Sequence, residues 1–445
     1  MKVSVIGTGY VGLVSGVCLA ERGHEVICVD IDTDKVDQIN RAISPIHERG
    51  LTELLKKNIG KRLRATTDLH AAIGDTDISL LAVGTPFDGQ QIDLSYVMEV
   101  SRQIGAALRT KSSYHVVTVK STVVPGTTDE VVLPILERES GKVAGVDFGI
   151  GMNPEFLREG EAIEDFMNPD RIVLGGLDDR THTVLRELYS PFPGVDVITT
   201  GNKTAEMIKY ASNSLLATLI SFSNEIANVC SEIGGVDVVD VLRGVHLDRR
   251  VSPLLPNGIR VRPGITSYLE AGCGFGGSCF PKDVKALIAH GEKYGREMNL
   301  LKSVIQINEA QPERLLALLG KHFSSLKGVR VAVLGLAFKP GTDDMRESPS
   351  LPVIRRLRAQ GADIRAYDPV AAGEARKILG MDGITYCEDI GQAVENAQAI
   401  LLLTRWEELQ QLPDIIGKMQ PQPLVVDGRR MLGKTSVSRY EGIGL

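Results

Sequence analysis

The chain has 445 residues, 43% of them hydrophobic and 24% charged, with a net charge of −6. That suits two or three globular domains with substantial cores and gives no bulk electrostatic pull toward nucleic acid or an anionic membrane, so neither partner is expected. No apolar run is long enough to span a bilayer.

Met1–Ile6 opens directly into a strand pattern rather than an export signal, so a cytoplasmic location is expected. The six cysteines (Cys18, Cys28, Cys230, Cys273, Cys279, Cys387) are scattered, which is no disulfide framework. No close-spaced Cys or His pairs suggest zinc, and no metal is expected.

Val3-Ser4-Val5-Ile6 predicts a buried strand, followed at once by Gly7-Thr8-Gly9-Tyr10-Val11-Gly12. An apolar helix follows through Arg22, with Gly23 as its cap, and a second strand, Glu25–Val29, ends in Asp30. Strand, glycine turn, helix, strand and acid in that order predict a dinucleotide site. Gly7, Gly9 and Gly12 permit the tight turn and let a pyrophosphate meet the helix N-terminus, while the acid accepts ribose hydroxyls. The charge of Asp30 would repel a 2′-phosphate, so NAD is expected rather than NADP. Lys35 is either a further ribose contact or a solvated helix lysine.

Two more buried strands follow. Ile78–Val83 ends in Gly84-Thr85-Pro86, and His115–Val119 ends in Lys120-Ser121-Thr122. Ligands of doubly wound sheets bind beyond the carboxyl ends of strands, where Thr85 and Thr122 lie. Both residues also suit helix N-caps. Phe148–Met152 then leads into Asn153-Pro154-Glu155-Phe156-Leu157-Arg158-Glu159-Gly160, which is either a salt-bridged turn or a site.

From about Thr204 to Gly234 apolar residues recur at helical spacing, predicting one helix about 45 Å long between two α/β domains. Its broad apolar surface predicts a homodimer. Lys209 and Asn213 share a face, pointing either to solvent or into a site. A Pro- and Arg-rich stretch from Val251 to Gly264 follows, read as an ordered loop with phosphate-compatible charge.

It runs into Gly274-Phe-Gly-Gly-Ser-Cys-Phe-Pro-Lys-Asp283, where three glycines free the backbone to approach a ligand and Pro281 starts a helix. Cys279 lies at that helix start beside Lys282, and both the helix dipole and the lysine favour a thiolate. It is a candidate nucleophile, or else a small buried hydrophobe.

Lys327–Lys339 repeats strand and glycine turn, and Asp363–Tyr367, Ala399–Thr404 and Pro423–Asp427 are further strands. This second doubly wound unit lacks the full glycine spacing and suits a different nucleotide. Lys339 suits a phosphate. Arg346, Arg429 and Arg430 suit phosphate, ribose or a partner carboxylate, or are surface ion pairs. The expected fold is α/β: two doubly wound Rossmann-like domains joined by a long central helix and a helical middle domain. The expected bounds are 1–200 for the NAD domain, 201–310 for the middle with the cysteine loop, and 311–445 for the last.

A thiolate beside two nucleotide-type domains suggests oxidation of an alcohol to an acid in two hydride transfers, with the aldehyde trapped as a thiohemiacetal. The motifs Gly7–Gly12, Val83–Pro86, Ser121–Val123, Asn153–Gly160, Lys209–Ala211, Gly274–Asp283 and Phe338–Ser348 together resemble the UDP-glucose/GDP-mannose dehydrogenase family. Glu155–Asp170 with Arg171–Val173, Thr404–Trp406 and Asp427–Arg429 look like its UDP-glucose branch. The resemblance therefore implies UDP-glucose as substrate, UDP-glucuronate as product and two NADH per turnover. GDP-mannose and UDP-N-acetyl sugars are the alternatives.

The resemblance also implies roles. Cys279 is the nucleophile, and Lys209 with Asn213 stabilises the oxyanion. Asp283 and Glu155 position or activate water, with Thr122 nearby. Val11, Asp30, Lys35, Thr85, Thr122, Glu159, Lys282 and Arg346 line the NAD site. Phe156, Leu157, Arg158, Tyr268, Gly276, Lys339 and Arg429 hold the nucleotide sugar, and Arg250 reaches a neighbouring subunit's substrate. The segment between Arg250 and Tyr268 departs from the family by being longer, with Ser252–Ile265 as the extra residues.

Overall fold

Short runs of aliphatic residues, buried on both faces, build two separate sheets. The computed structural model describes every residue from Met1 to Leu445. The chain divides into two compact units, Met1–Ser212 and Asn213–Leu445.

The first unit holds β1 (Lys2–Ile6), β2 (Glu25–Val29), β3 (Leu63–Thr66), β4 (Ile78–Leu81), β5 (His115–Val119), β6 (Phe148–Met152), β7 (Arg171–Gly176) and β8 (Asp196–Thr200). Their spatial order is β3-β2-β1-β4-β5-β6-β7-β8. The first six run parallel, so the carboxyl ends of β1, β2, β4, β5 and β6 share one edge of the sheet. Gly7, Asp30, Thr85, Thr122 and Glu155 all follow along that edge. β7 turns antiparallel to β6, and β8 runs parallel to β7.

The helix Tyr10–Glu21 covers one face through Leu13, Val14, Val17, Cys18 and Leu19, all fully buried. It packs so closely that a Cβ on Gly16 would stand 2.7 Å from the Cys28 sulfur. Burial pushes the Cys18 and Cys28 thiols up to about 12, so both are inert packing groups.

The long helix spans Asn202–Ile233, about 48 Å at 1.5 Å per residue. Residues through Ser212 belong to the first unit and the rest to the second. The second unit adds helices Val238–His246, Phe280–Lys293 and Asn299–Gly320. Its sheet comprises β9 (Arg330–Leu334), β10 (Asp363–Tyr367), β11 (Ile384–Tyr386), β12 (Ala399–Leu402), β13 (Leu424–Asp427) and β14 (Tyr440–Gly442). The order β11-β10-β9-β12-β13-β14 is parallel throughout. Leu315 and Leu319 of the helix Asn299–Gly320 are fully buried in the cluster of Val331, Val333, Leu401 and Val426. Truncating either leucine to Ala costs about 2–5 kcal/mol.

The stretch Ser252–Ile265 is an ordered excursion. Leu254 pairs with Arg260, and the Leu255 and Val261 amides donate to Ile259 O and Pro253 O at 2.8 and 2.9 Å. The Arg260 guanidinium holds its base through Leu247 O and Ser252 O, both at 2.8 Å. No helix is long and apolar enough to cross a membrane.

Candidate active site

The glycine turn after β1 contains two kinds of glycine. Gly7 has φ +94°, and a Cβ there would lie 2.8 Å from Ala82 O. A Cβ on Gly12 would lie 1.9 Å from Gly7 O. The fold itself demands both. A Cβ on Gly9 would meet nothing within 4 Å, so no protein neighbour explains that glycine. Gly9 caps the helix Tyr10–Glu21 without a side-chain acceptor, so its first N–H groups remain available to an anion.

Asp30 Oδ2 accepts the Thr8 amide at 2.7 Å and the Thr8 hydroxyl at 2.6 Å, and Oδ1 accepts the Asp32 amide at 3.0 Å. Burial opposes its charge, but these donors and the nearby Lys35 hold its carboxyl below the usual range. An open turn followed by a fixed anion fits a dinucleotide bearing free ribose hydroxyls. The Lys35 ammonium itself stands 4.0 Å from Asp32 in an exposed pair, and Val11 lies half-buried in the first helical turn.

Thr85 donates to Thr122 O at 2.7 Å, and Ser121 donates to Val83 O at 2.6 Å, tying the ends of β4 and β5 together. Neither threonine caps a helix: the following helices are capped at Leu94 and Thr127. The N-cap alternative therefore falls away, because the chain runs on as loop beyond each strand.

After β6, Glu155 is buried and its Oε1 accepts the buried Lys209 ammonium at 2.8 Å, while Oε2 accepts the Leu157 amide at 2.6 Å. Burial works against the Glu155 anion, yet Lys209 and that amide keep its carboxyl below the usual range. Phe156 lies under both cations: the Lys209 nitrogen is 5.5 Å and the Arg171 guanidinium 3.9 Å from its ring. Leu157 is half-buried and Glu159 buried. Arg158 turns away from Glu155 and pairs with Asp165 at 2.6 Å and Glu161 at 2.7 Å.

In the second unit, Cys279 is the N-cap of the helix Phe280–Lys293 and is half-buried. The Asp283 amide donates to Cys279 O at 2.8 Å, closing the first turn. The fully buried Asp283 carboxylate accepts Asn213 Nδ2 at 2.7 Å and Lys282 Nζ at 2.5 Å. Lys282 is thus engaged by Asp283. Ser278 Oγ lies 3.5 Å from the Cys279 sulfur.

The glycines before Cys279 face protein rather than open space. A Cβ on Gly274 would stand 2.9 Å from Asn308 Oδ1, on Gly276 2.3 Å from Glu347 O, and on Gly277 2.7 Å from the Phe338 ring. The Gly277 amide donates to Arg346 O at 2.8 Å. The Cβ side of Gly274 is thus filled by Asn308 and that of Gly276 and Gly277 by the 338–348 segment, so packing also requires these glycines.

Arg429 is fixed by Leu403 O at 2.6 Å and Gly274 O at 2.9 Å. Arg430 is instead committed to Asp237 in a buried pair at 2.8 Å. Tyr268 packs 6.1 Å from the Phe280 ring. Lys339 is half-buried after the β9 turn, Arg346 pairs with Asp344 at 2.8 Å, and the exposed Arg250 pairs with Asp248 at 2.6 Å.

Comparison with known proteins gives the family of the whole chain. Residues 1–193 match the NAD binding domain of the UDP-glucose/GDP-mannose dehydrogenase family, 203–310 its central domain and 332–434 its UDP binding domain. This chain belongs to the UDP-glucose/GDP-mannose dehydrogenase family. The UDP-glucose 6-dehydrogenase of Haloferax volcanii is 44% identical, with 100% of both chains covered. The GDP-mannose 6-dehydrogenase of Azotobacter vinelandii is 43% identical over 83% of this chain and 81% of its own. The solved UDP-glucose dehydrogenase of Pyrobaculum islandicum superposes with a TM-score of 0.90 at 39% identity, covering 100% of this chain and 97% of its own.

Within this family member, three buried groups around the site escape a reading of motifs. Lys120 donates to Asn153 Oδ1 at 3.0 Å and lies 3.5 Å from the Tyr189 hydroxyl; burial brings its ammonium down to about 8. Glu206 accepts the Gly126 amide and the Thr128 amide and hydroxyl at 2.6, 2.8 and 2.7 Å. Its burial outweighs those donors and raises it to about 7. Glu48 receives donors from two distant segments. A charged residue within an apolar stretch was the available signal for Lys120 and Glu206. No local signal marks Glu48.

Proposed function

We propose that this chain is an NAD-dependent UDP-glucose 6-dehydrogenase that makes UDP-glucuronate through a covalent intermediate on Cys279. The observation that carries the reading is the placement of Cys279 at a helix start, one turn from a fully buried Asp283 held by Asn213. The full-length likeness to UDP-glucose 6-dehydrogenases supports the substrate.

The Gly7–Gly12 turn, Asp30 and Thr85 would hold NAD, which would accept one hydride per molecule in each of two oxidations; in the first, the alcohol carbon gives up its hydride and its hydroxyl proton passes to water, leaving the aldehyde. The Cys279 thiolate adds to the carbonyl carbon of the aldehyde, forming a carbon–sulfur bond. Lys209 and Asn213 stabilise the oxyanion. Removal of the hydride from that carbon leaves a thioester. Asp283, with Glu155, takes a proton from water, whose oxygen adds to the thioester carbon. The carbon–sulfur bond then breaks and the thiolate returns. Lys339 and Arg429 hold the diphosphate and ribose side of the substrate.

A homodimer through the long helix belongs to the same reading. Leu215, Phe222, Val229 and Ile233 are 45–67% exposed, spaced seven and then four residues apart along that helix. GDP-mannose is the second reading, favoured by the Azotobacter relative. Steady-state assay of purified protein on UDP-glucose, GDP-mannose and UDP-N-acetylglucosamine tests both. UDP-glucose should be the best substrate, and Cys279→Ser should lower its turnover by about a thousandfold or more, ~4 kcal/mol. Turnover of GDP-mannose alone would move the substrate, and an active Cys279→Ser enzyme would remove the covalent step.

A further inference from the structure

The segment between the helices Thr33–Asn40 and Leu51–Asn58 carries Glu48, 7% exposed. Its Oε2 accepts the Tyr10 hydroxyl and, at 2.7 Å, the Gly160 amide; its Oε1 accepts the Ala162 amide at 3.0 Å. The Gly160 amide also lies 2.8 Å from the Tyr10 oxygen. One carboxylate thus ties together two pieces of chain far apart in sequence. Tyr10 is the first residue of the helix that Gly9 opens. Gly160, at φ +83°, ends the loop that runs from Glu155 through Glu159.

We propose that Glu48 is a positioning residue that locks the sugar-nucleotide loop, Glu155–Gly160, onto the dinucleotide turn. The proposal rests on the roles given above to that turn and loop. A buried carboxylate makes stronger, more directional hydrogen bonds than a neutral acceptor, so it fixes both partners at once. Tyr10 cannot shift without disturbing the oxygen that holds Gly160, and the loop cannot shift without disturbing Tyr10. Glu159 immediately precedes the held amide, and Glu155 sits at the loop's other end against Lys209. The dinucleotide turn and the loop are therefore braced by one group. The carboxylate reaches the turn through the Tyr10 hydroxyl and the end of the loop through two backbone amides.

The test uses the full-length protein with Glu48→Ala, Glu48→Gln and Tyr10→Phe. NADH affinity is read by fluorescence titration, and KM for UDP-glucose and kcat by steady-state assay. Glu48→Ala should weaken NADH binding and raise the UDP-glucose KM about 5- to 10-fold each, since small displacements at a preorganised site are costly. Glu48→Gln keeps an oxygen acceptor and should recover part of both losses. Tyr10→Phe should show a smaller loss, and combining it with Glu48→Gln should give less than the product of the two, because they share one contact. A residue that only holds the fold would lower kcat with the active fraction and leave both constants unchanged; that result overturns the proposal. If Glu48→Ala does not fold, Glu48→Gln and Tyr10→Phe decide it by the same constants. NADH titration needs no sugar, so failure of UDP-glucose turnover would strike the substrate assignment while the role of Glu48 is still read.

Discussion

The two sheets start from the same plan and end differently. Each has a strand, a positive-φ glycine, and an acid at the end of the next strand. Gly7 and Gly335 have φ of +94° and +92°, and Asp30 and Asp368 follow β2 and β10. Two residues past the glycine, the first unit has Gly9, with open space above it, and the second has Ala337, 1% exposed with its carbonyl accepting Thr404. Asp30 takes three donors, the Thr8 amide and hydroxyl on Oδ2 and the Asp32 amide on Oδ1. Asp368 takes five donors: the amides of Leu336, Ala337, Val370 and Ala371 at 2.7–3.1 Å, and the Trp406 indole at 3.0 Å. In the first unit the helix begins directly at Tyr10; in the second, residues 338–349 intervene before Ser350–Ala359. That inserted segment packs against the cysteine loop through Gly276 and Gly277. One supersecondary plan thus serves as a ligand cradle where its second glycine stands open, and as a scaffold where the protein fills that position and surrounds the acid with donors.

If that distinction holds, the same substitution in the two acids should fail in different ways. Asp368→Ala leaves several buried donors without an acceptor and should cost the second unit about 4 kcal/mol, read as a lowered thermal midpoint. Little loss of stability would break the comparison.

The first sheet also carries a pH dependence through buried His115, which is lowered to about 3 by burial and held by Ser79 and Thr76. Folded His115 stays neutral while the unfolded residue binds a proton near pH 6.5. Its contribution is complete above pH 6.5 and falls as pH drops toward 3. At pH 5 this amounts to on the order of 2 kcal/mol. His24, lowered mainly by burial, acts in the same direction. Hydrogen exchange at pH 7 and pH 5 should show protection lost first in β1, β4 and β5; equal loss in β9 and β12 would contradict this.

The smallest effect is at the half-buried Asp30, which holds fewer donors than Asp368. Asp30→Asn should raise the NAD KM about tenfold, ~1.4 kcal/mol, while the thermal midpoint stays near that of the parent. A larger stability loss than at Asp368 would reverse the comparison.

Much of this was legible in the sequence where the signal is local. The bounds of β2, β5, β6 and β10 are legible because each is a short β-prone run that stops at a turn or acidic residue, though only β5 and β6 are buried throughout. Pro281 located the helix start behind Cys279 to within one residue. β8 was missed: it lies at the sheet edge, and its Asp196, Val197 and Ile198 are exposed, so it lacks the core signature. The three-residue β14 is too short to carry a pattern. The pairings of Glu155 with Lys209 and Asn213 with Asp283 join residues 54 and 70 apart, and the Glu48–Ala162 contact spans 114. Such pairings are set by tertiary packing of helices and strands, which local periodicity does not encode. That Gly276 and Gly277 are also required for packing against Glu347 and Phe338 has no local signature, because those partners lie about 60–70 residues away.

The central claim is that one cysteine carries the sugar between two oxidations. The direct measurement is the amount of NADH formed when a limiting, known quantity of UDP-glucose is consumed to completion by the purified protein. The account predicts two NADH per UDP-glucose with UDP-glucuronate as the product; one NADH, with an aldehyde released, would contradict it.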